Sequence, residues 1–317
     1  MLDVAAFGKV AVLMGGVSAE RDVSLVSGAA VLAALQELGI DAHEIDATPN
    51  NIGQLQAQGF DRAFVVLHGR WGEDGVVQGA LEAIGMPYTG SGVLACALAM
   101  DKVRTKQIWQ QMGLPTADDK VLQSADDLNG LIEQLGLPLF LKPAREGSSV
   151  GVAKVSNKEE LEGAYKAAAA VGDDVLAERF IGGAELTVAI LNSEALPIIE
   201  LRTNNEFYDY QAKYESDETQ YLCPAELPIK LEDEIKDLSL RAFKALDCAV
   251  WGRVDLMLDD DQQPLLLEVN TVPGMTNHSL VPMAAAAAGI GFNELVYSIL
   301  ATTLSPISLA NAGGAAL

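Results

Sequence analysis

Cysteine is scarce in this chain: Cys96, Cys223 and Cys248 are an odd number with no C-x-x-C spacing. That excludes a disulfide framework and a thiolate zinc site, and it predicts small buried hydrophobes in a reducing cytoplasm. Positive charge is also short, with 21 Lys and Arg against 44 Asp and Glu, a formal charge of −23. Such a surface excludes nucleic acid and anionic membrane as partners, so any polyanion must be held by a local cationic pocket. No apolar run reaches the roughly 18 residues that cross a bilayer. The longest low-polarity stretch, Leu280 to Phe292, reads as a buried helix, and the N-terminus lacks the h-region and cleavage site of a secretory signal. The phosphate loop G-x-x-x-x-G-K-[ST] is missing, and no Ser, His and Asp set lies in a nucleophile-elbow context.

What remains is a globular composition, 50% hydrophobic and 21% charged over 317 residues, enough for two domains or three small ones. The first hundred residues alternate strand and helix patterns: a strand at Val10–Met14, a helix from Glu20 to Leu38, a strand at Ala63–Leu67 and a helix from Val76 to Ile84. This order predicts a parallel sheet covered on both faces, with ligands beyond the carboxyl ends of its strands, where Glu20 and His68 fall. From about Met100 the pattern becomes a small α+β unit. A hairpin follows from ELTVAIL and ALPIIEL, then a polar segment from Arg202 to Gln220, long enough to be a lid, and a helix from about Leu231 to Leu246. His43 reads as a surface histidine, and the tail SPISLANAGGAAL as frayed.

The most informative local pattern is GRVDLMLD, then DDQQ, then PLLLEVN. Centring the turn between Asp261 and Gln262 makes residues whose numbers sum to about 523 face one another, provided no bulge intervenes. Asp255 then faces Glu268 and Arg253 faces Asn270. Alternation puts these four on one side, with Val254, Leu256, Leu267 and Val269 beneath. Two carboxylates and an amide oxygen are hard ligands suited to magnesium; the same residues also read as a solvated cross-strand pair. The sequel TVPGMTNHS, rich in turn residues, ends at a helix start where backbone N–H groups and Ser279 can meet an anion.

Two further segments bear on phosphate. REGSSVG, between two strands, reads either as a flap with free N–H groups or as an ordinary hairpin turn. Lys142 and Lys102 nearby are point cations suited to phosphate oxygens, or else solvated surface lysines. GSGVLA matches a dinucleotide-binding loop formally, but Gln110 and Gln111 stand where that loop needs an acidic residue.

GGVSAERDVSL, LHGRWGEDG, MDKVRTK, LKPAREGSSVG, YDYQAKY, GRVDLMLD and LLLEVNTVPGMTNHSLVP occur in an order that resembles the D-alanine:D-alanine ligases, ATP-grasp enzymes of peptidoglycan synthesis. The likeness runs from about Val10 to Leu300. It implies an ATP-grasp fold with an N-terminal parallel-sheet α/β domain, divided at 1–101, 102–180 and 181–317, and commonly a homodimer. It implies that ATP and two D-alanine molecules give D-alanyl-D-alanine through an acyl phosphate. Asp255, Glu268 and Asn270 become ligands of two magnesium ions, a role manganese can also fill. Lys102, Lys142, Ser149, Glu178, Glu185 and Lys213 become nucleotide contacts, with Phe180 and Ile181 at the adenine edge. Glu20, with Val23 and His68, falls to the first substrate; Arg253 and the Gly274 N–H fall to the oxyanion; Ser279 and Leu280 fall to the second carboxylate. Ser148 and Tyr214 bond with Glu20 to close the site, and Tyr rather than Phe at 214 implies an amine acceptor rather than D-lactate.

Overall fold

The structure is a computed structural model, described here for residues 4–147, 150–172, 174–202, 219–276 and 278–304. Three sheets organise these residues. The first is parallel, with strands β1 (Val10–Met14), β2 (Ala42–Asp46) and β3 (Arg62–Val65) in the order β2-β1-β3. β1 is VAVLM, buried at every position, as expected for a central parallel strand covered on both faces. Helix α1 (Arg21–Glu37) buries Ser24, Ser27, Gly28, Val31, Ala34 and Leu35. Gly28 lies so close to the Met14 side chain that a Cβ there has no room.

The second sheet is antiparallel, with β4 (Asp119–Leu122), β5 (Leu139–Pro143), β6 (Ala153–Val155) and β7 (Val175–Arg179) in the order β4-β7-β5-β6. The third contains β8 (Glu185–Leu191), β9 (Glu194–Ala195), β10 (Ile199–Arg202), β11 (Gln220–Leu222), β12 (Trp251–Leu258) and β13 (Pro264–Asn270). Its path is β11-β10-β8-β12-β13, with β9 paired to β8. The helix Ile229–Ala245 packs Leu238, Ala242 and Phe243 on the underside of β12 and β13, and the buried Trp109 joins that cluster. Near the end of the chain, Val281, Ala284, Ala285, Leu295, Val296, Ile299 and Leu300 enter the same core as Val10–Met14. That return is what brings the TVPGMTNHS loop to the mouth of the first sheet.

The expected hairpin register holds at the residues that matter and shifts beyond them. Arg253 pairs with Asn270 and Asp255 with Glu268, but a bulge between Asp255 and Leu256 makes Leu256 face Leu266. Leu266 therefore replaces Leu267 in the underside beside Val254, Leu256 and Val269; Leu266 is fully buried and Leu267 only partly. The Leu280–Phe292 stretch is also corrected: the helix Leu280–Ala287 stops before Gly289, a second helix starts at Phe292, and residues 286–289 are exposed. β2 is a strand that the sequence reading passed over. His43 is exposed, as expected. The frayed tail and nearly all of the polar segment lie outside the described residues. Among those described, no single helix is long and apolar enough to cross a membrane.

The bulge makes a direct prediction. Leu266→Ala should cost about 2–5 kcal/mol in urea unfolding, and Leu267→Ala about half that or less; the reverse order would restore the unbulged register.

Candidate active site

The face of β12 and β13 turned away from the helix carries the polar set. The Arg253 Nε donates to Asp255 Oδ1 at 2.8 Å and its Nη2 to Asp255 Oδ2 at 2.7 Å, while the Thr187 hydroxyl on β8 donates to Asp255 Oδ1 at 2.6 Å. Glu268 stands across from Asp255, and Lys102 Nζ reaches Glu268 Oε2 at 3.5 Å. The Asn270 Oδ1 is buried with no hydrogen-bond partner among the described residues. A buried amide oxygen without a donor is costly, and beside two carboxylates its lone pair suits a hard cation. Among the described residues no cluster of three His, Cys, Asp or Glu side chains forms a metal site; the fitting set is two carboxylates completed by an amide.

The helix Lys102–Gln111 starts at this face. Its N-cap Asp101 accepts from the Arg104 N–H and, through its other oxygen, from Arg145 Nε at 2.8 Å. Lys102 Nζ donates to the Glu146 carbonyl at 2.7 Å. The root of the REGSSVG segment is thus fastened to the helix that carries Lys102. Gly147, further along it, lies against Glu20: a Cβ there would sit 3.2 Å from Glu20 Oε2. Gly69, at φ +67°, cradles the same oxygen from the other side, which only a residue without a side chain does at that backbone angle. Val23 lies one helical turn beyond Glu20, partly buried.

On the central sheet Glu178 is buried between two lysines. Its Oε1 accepts from Lys106 Nζ at 2.6 Å, and its Oε2 is paired with Lys142 Nζ. Burial alone would raise the Glu178 carboxyl, but Lys142 and Lys106 more than reverse that and hold it down to about 2. Lys142 is shifted upward, its desolvation outweighed by Glu178 with help from Glu268 and Asp119. Just beyond β7, Phe180 tilts against Phe140 with centroids 5.8 Å apart, under Lys154 Nζ at 4.7 Å. Ile181 is buried beside it, and Glu185 opens β8 two residues from Thr187 on the same face.

The third wall is the loop after β13. A Cβ on Gly274 would meet Ser279 Oγ at 2.8 Å, so a side chain at this position displaces the Ser279 hydroxyl. Met275 N–H donates to Ser27 Oγ at 3.0 Å and Thr276 N–H to Ser279 Oγ at 2.9 Å, which fixes the loop to α1 and to the start of the helix at Leu280. His68 is buried, and burial lowers its pKa to about 4 despite a backbone hydrogen bond with Val272. Its Nε2 has no hydrogen-bond partner among the described residues.

The structure therefore brings together Glu20, His68, Lys102, Lys142, Glu178, Arg253, Asp255, Glu268, Asn270, Gly274 and Ser279 around one region. Ser148, Ser149, Lys213 and Tyr214 lie outside the described residues. In GSGVLA, Gly92 caps the helix Val93–Met100, and a Cβ on Gly90 would meet the Trp251 indole nitrogen at 3.4 Å. Sequence reasoning passed over Glu73, Lys106 and Thr187. Glu73 Oε2 accepts from the Gly69 N–H at 2.6 Å. Burial, with the Glu20 carboxylate adding to it, pushes the Glu73 carboxyl up to about 8 against the pull of backbone hydrogen bonds from Gly69 and Val272. Its signal was its place in LHGRWGEDG; Lys106 and Thr187 had only the strand and helix periodicity around them.

The family model described as "D-ala D-ala ligase C-terminus" matches residues 108–301, and "D-ala D-ala ligase N-terminus" matches residues 43–91. A D-alanine–D-alanine ligase of Bordetella petrii is 54% identical over 94% of this chain and 93% of its own. One from Stutzerimonas stutzeri is 57% identical over 94% and 95%. The crystal structure of the Bacillus anthracis D-alanine–D-alanine ligase complexed with ATP superposes at TM-score 0.82 with 38% identity, covering 94% of this chain and 97% of that one. The VanG D-Ala:D-Ser ligase from Enterococcus faecalis superposes at 0.81 with 29% identity, covering 93% and 99%.

The raised Glu73 sets the sign of a pH effect. A carboxyl held up in the folded state adds stability below its ordinary value of 4.5 and loses it as pH rises through about 8, because the unfolded chain releases the proton first. Glu73→Gln should therefore gain stability relative to the parent between about pH 5 and about pH 8, read by urea unfolding; parallel pH profiles would contradict the shift.

Proposed function

The chain belongs to the D-alanine–D-alanine ligase family, an ATP-grasp fold, and from that premise we infer that it joins two D-alanine molecules to D-alanyl-D-alanine at the expense of ATP, for peptidoglycan precursors. The observation that carries the site is the shared face of Arg253, Asp255, Glu268 and Asn270, with Asn270 Oδ1 left without a donor among the described residues. Magnesium held there would neutralise the phosphate oxygens and so ease the meeting of two anions. Lys142 and Lys102 hold the nucleotide's phosphates, joined by Ser149 and Lys213, with Phe180 and Ile181 along the base and Glu178 and Glu185 as its carboxylate contacts.

The carboxylate of the first D-alanine, its ammonium group on Glu20 near Val23 and His68, attacks the terminal phosphoryl group; ADP leaves and an acyl phosphate forms. The chain's contribution to this step is alignment and charge neutralisation. The amine of the second D-alanine, its carboxylate on Ser279 and the Leu280 N–H, then attacks the acyl carbon, and phosphate departs. Arg253 and the Gly274 N–H hold the developing oxyanion; a donor of this kind is typically worth about 3 kcal/mol. The family resemblance assigns Ser148 and Tyr214 the part of closing the site with Glu20, which would keep water from the acyl phosphate. Relatives above 50% identity carry the D-alanine–D-alanine name and the D-Ala:D-Ser neighbour stands at 29%, which favours D-alanine as acceptor; the fold itself does not decide this.

The proposal extends to the division at 1–101, 102–180 and 181–317, to a homodimer, and to a reducing cytoplasm, in which the three free thiols stay reduced.

Phosphate release from ATP, measured with no amino acid, with D-alanine and with L-alanine, should rise only with the D-isomer; stimulation by neither isomer would refute the activity. Arg253→Lys should lower kcat by about two orders of magnitude, because a compact ammonium cannot reproduce the planar fork, and unchanged turnover would remove Arg253 from the oxyanion. Glu268→Gln should depress kcat much more than it raises the KM for ATP, since charge neutralisation matters most as the phosphoryl group transfers; equal effects on both would contradict that role.

A further inference from the structure

Lys106 has no part in the reaction described above, yet it is among the most deeply buried groups of the molecule, with 1% of its side chain exposed. A lysine ammonium has three donors, and here each has an acceptor: Thr116 Oγ1 at 2.8 Å, the Ala117 carbonyl at 2.8 Å and Glu178 Oε1 at 2.6 Å. Asp119 Oδ1 is 3.8 Å away. The acceptors are anchored in turn. The Thr116 hydroxyl donates to the Leu266 carbonyl at 2.9 Å, and the Leu266 N–H donates to the Pro115 carbonyl at 2.9 Å. This joins the lysine to β13 two residues before Glu268. Lys106 is held from every side and cannot follow a ligand.

Lys142 is in the opposite position. It is 15% exposed, its partner is the other oxygen of Glu178, and it faces the cleft where phosphate is to bind. If it turns from Glu178 to a phosphate, it leaves behind a carboxylate of which only 4% is exposed. Stripping a buried ion of its only partner is strongly unfavourable. A single lysine on Glu178 would therefore have to choose between the carboxylate and the nucleotide.

We propose that Lys106 is a positioning residue, the resident counter-ion of Glu178, whose fixed charge frees Lys142 to move from the carboxylate to the nucleotide's phosphate. The inference rests on the reading of Lys142 as a phosphate-binding lysine. It assigns the two lysines of one buried triad different jobs: one stays, the other is lent to the ligand. It also explains why the immobile one is wired to β13, since the carboxylate it holds then keeps its register with Glu268.

The test is a double-mutant cycle read by ATP affinity (calorimetry) and by KM and kcat. Lys106→Met should weaken ATP binding by about tenfold or more, because Lys142 is then retained by Glu178, and should leave the KM for D-alanine within about twofold, less than 0.5 kcal/mol. Adding Glu178→Gln, which removes the buried charge, should restore ATP affinity to within about threefold of Glu178→Gln alone, a difference under 1 kcal/mol. A purely structural lysine would not be rescued in this way. Wild-type affinity in Lys106→Met, or a double variant about tenfold or more weaker than Glu178→Gln alone, overturns the proposal. Should Lys106→Met fail to fold, the comparison of Glu178→Gln with the double variant decides: affinity unchanged or tighter on losing Lys106 supports the role, and a further tenfold loss contradicts it. Lys142→Met separates the two readings. Wild-type ATP affinity there removes the phosphate assignment and this inference with it, whereas weak binding without rescue in the double variant overturns this inference alone.

Discussion

The backbone pairing of β12 with β13 is the constraint on which the site depends. Because Arg253 lies opposite Asn270 and Asp255 opposite Glu268, four polar side chains share one face while Val254, Leu256, Leu266 and Val269 are buried beneath it. A slip of one residue would exchange the faces, burying two carboxylates and exposing the leucines. The apolar underside, clamped by the helix Ile229–Ala245, thus specifies where charge appears above it. The bulge sits just past Asp255; it leaves the Arg253–Asn270 and Asp255–Glu268 pairs in register and shifts the pairing toward the tip of the hairpin.

The chain's large negative charge makes the recognition of a polyanion a local matter. Its cations near the cleft are held on carboxylates: Arg253 on Asp255, Lys102 near Glu268, and Lys142 and Lys106 on Glu178. These pairs are sheltered from solvent, where attraction is screened less than at the surface. Beside them, the first sheet supplies neutral or protonated groups: His68, lowered to about 4, and Glu73, raised to about 8. The cleft therefore has an ion-paired side at Lys102, Lys142 and Arg253 and a desolvated side at His68 and Glu73.

Much of this was readable from residue types alone. Turn residues at Asp261 and Gln262 centred the hairpin, and alternation then put Asp255 and Glu268 together. The bulge was not readable, because PLLLEVN offers three consecutive leucines and any of them can face inward. β2 escaped notice because AHEID is mostly exposed and lacks the apolar run of β1. Glu73, Lys106 and Thr187 stand out only when chain segments far apart in sequence meet, at Val272, at Glu178 and at Asp255. The family resemblance decided between readings that residue types left open: Lys142 was either a cation for phosphate oxygens or a surface lysine, and Ser279 could meet an anion that the residues alone did not identify.

The central claim is that Asp255, Glu268 and Asn270 together hold divalent cations against a nucleotide. A titration with manganese, followed by electron paramagnetic resonance in the presence of a non-hydrolysable ATP analogue, tests it most directly. The account predicts two bound ions per chain in the parent and the loss of at least one in both Asp255→Asn and Asn270→Leu. Undiminished manganese binding in those two variants would contradict it.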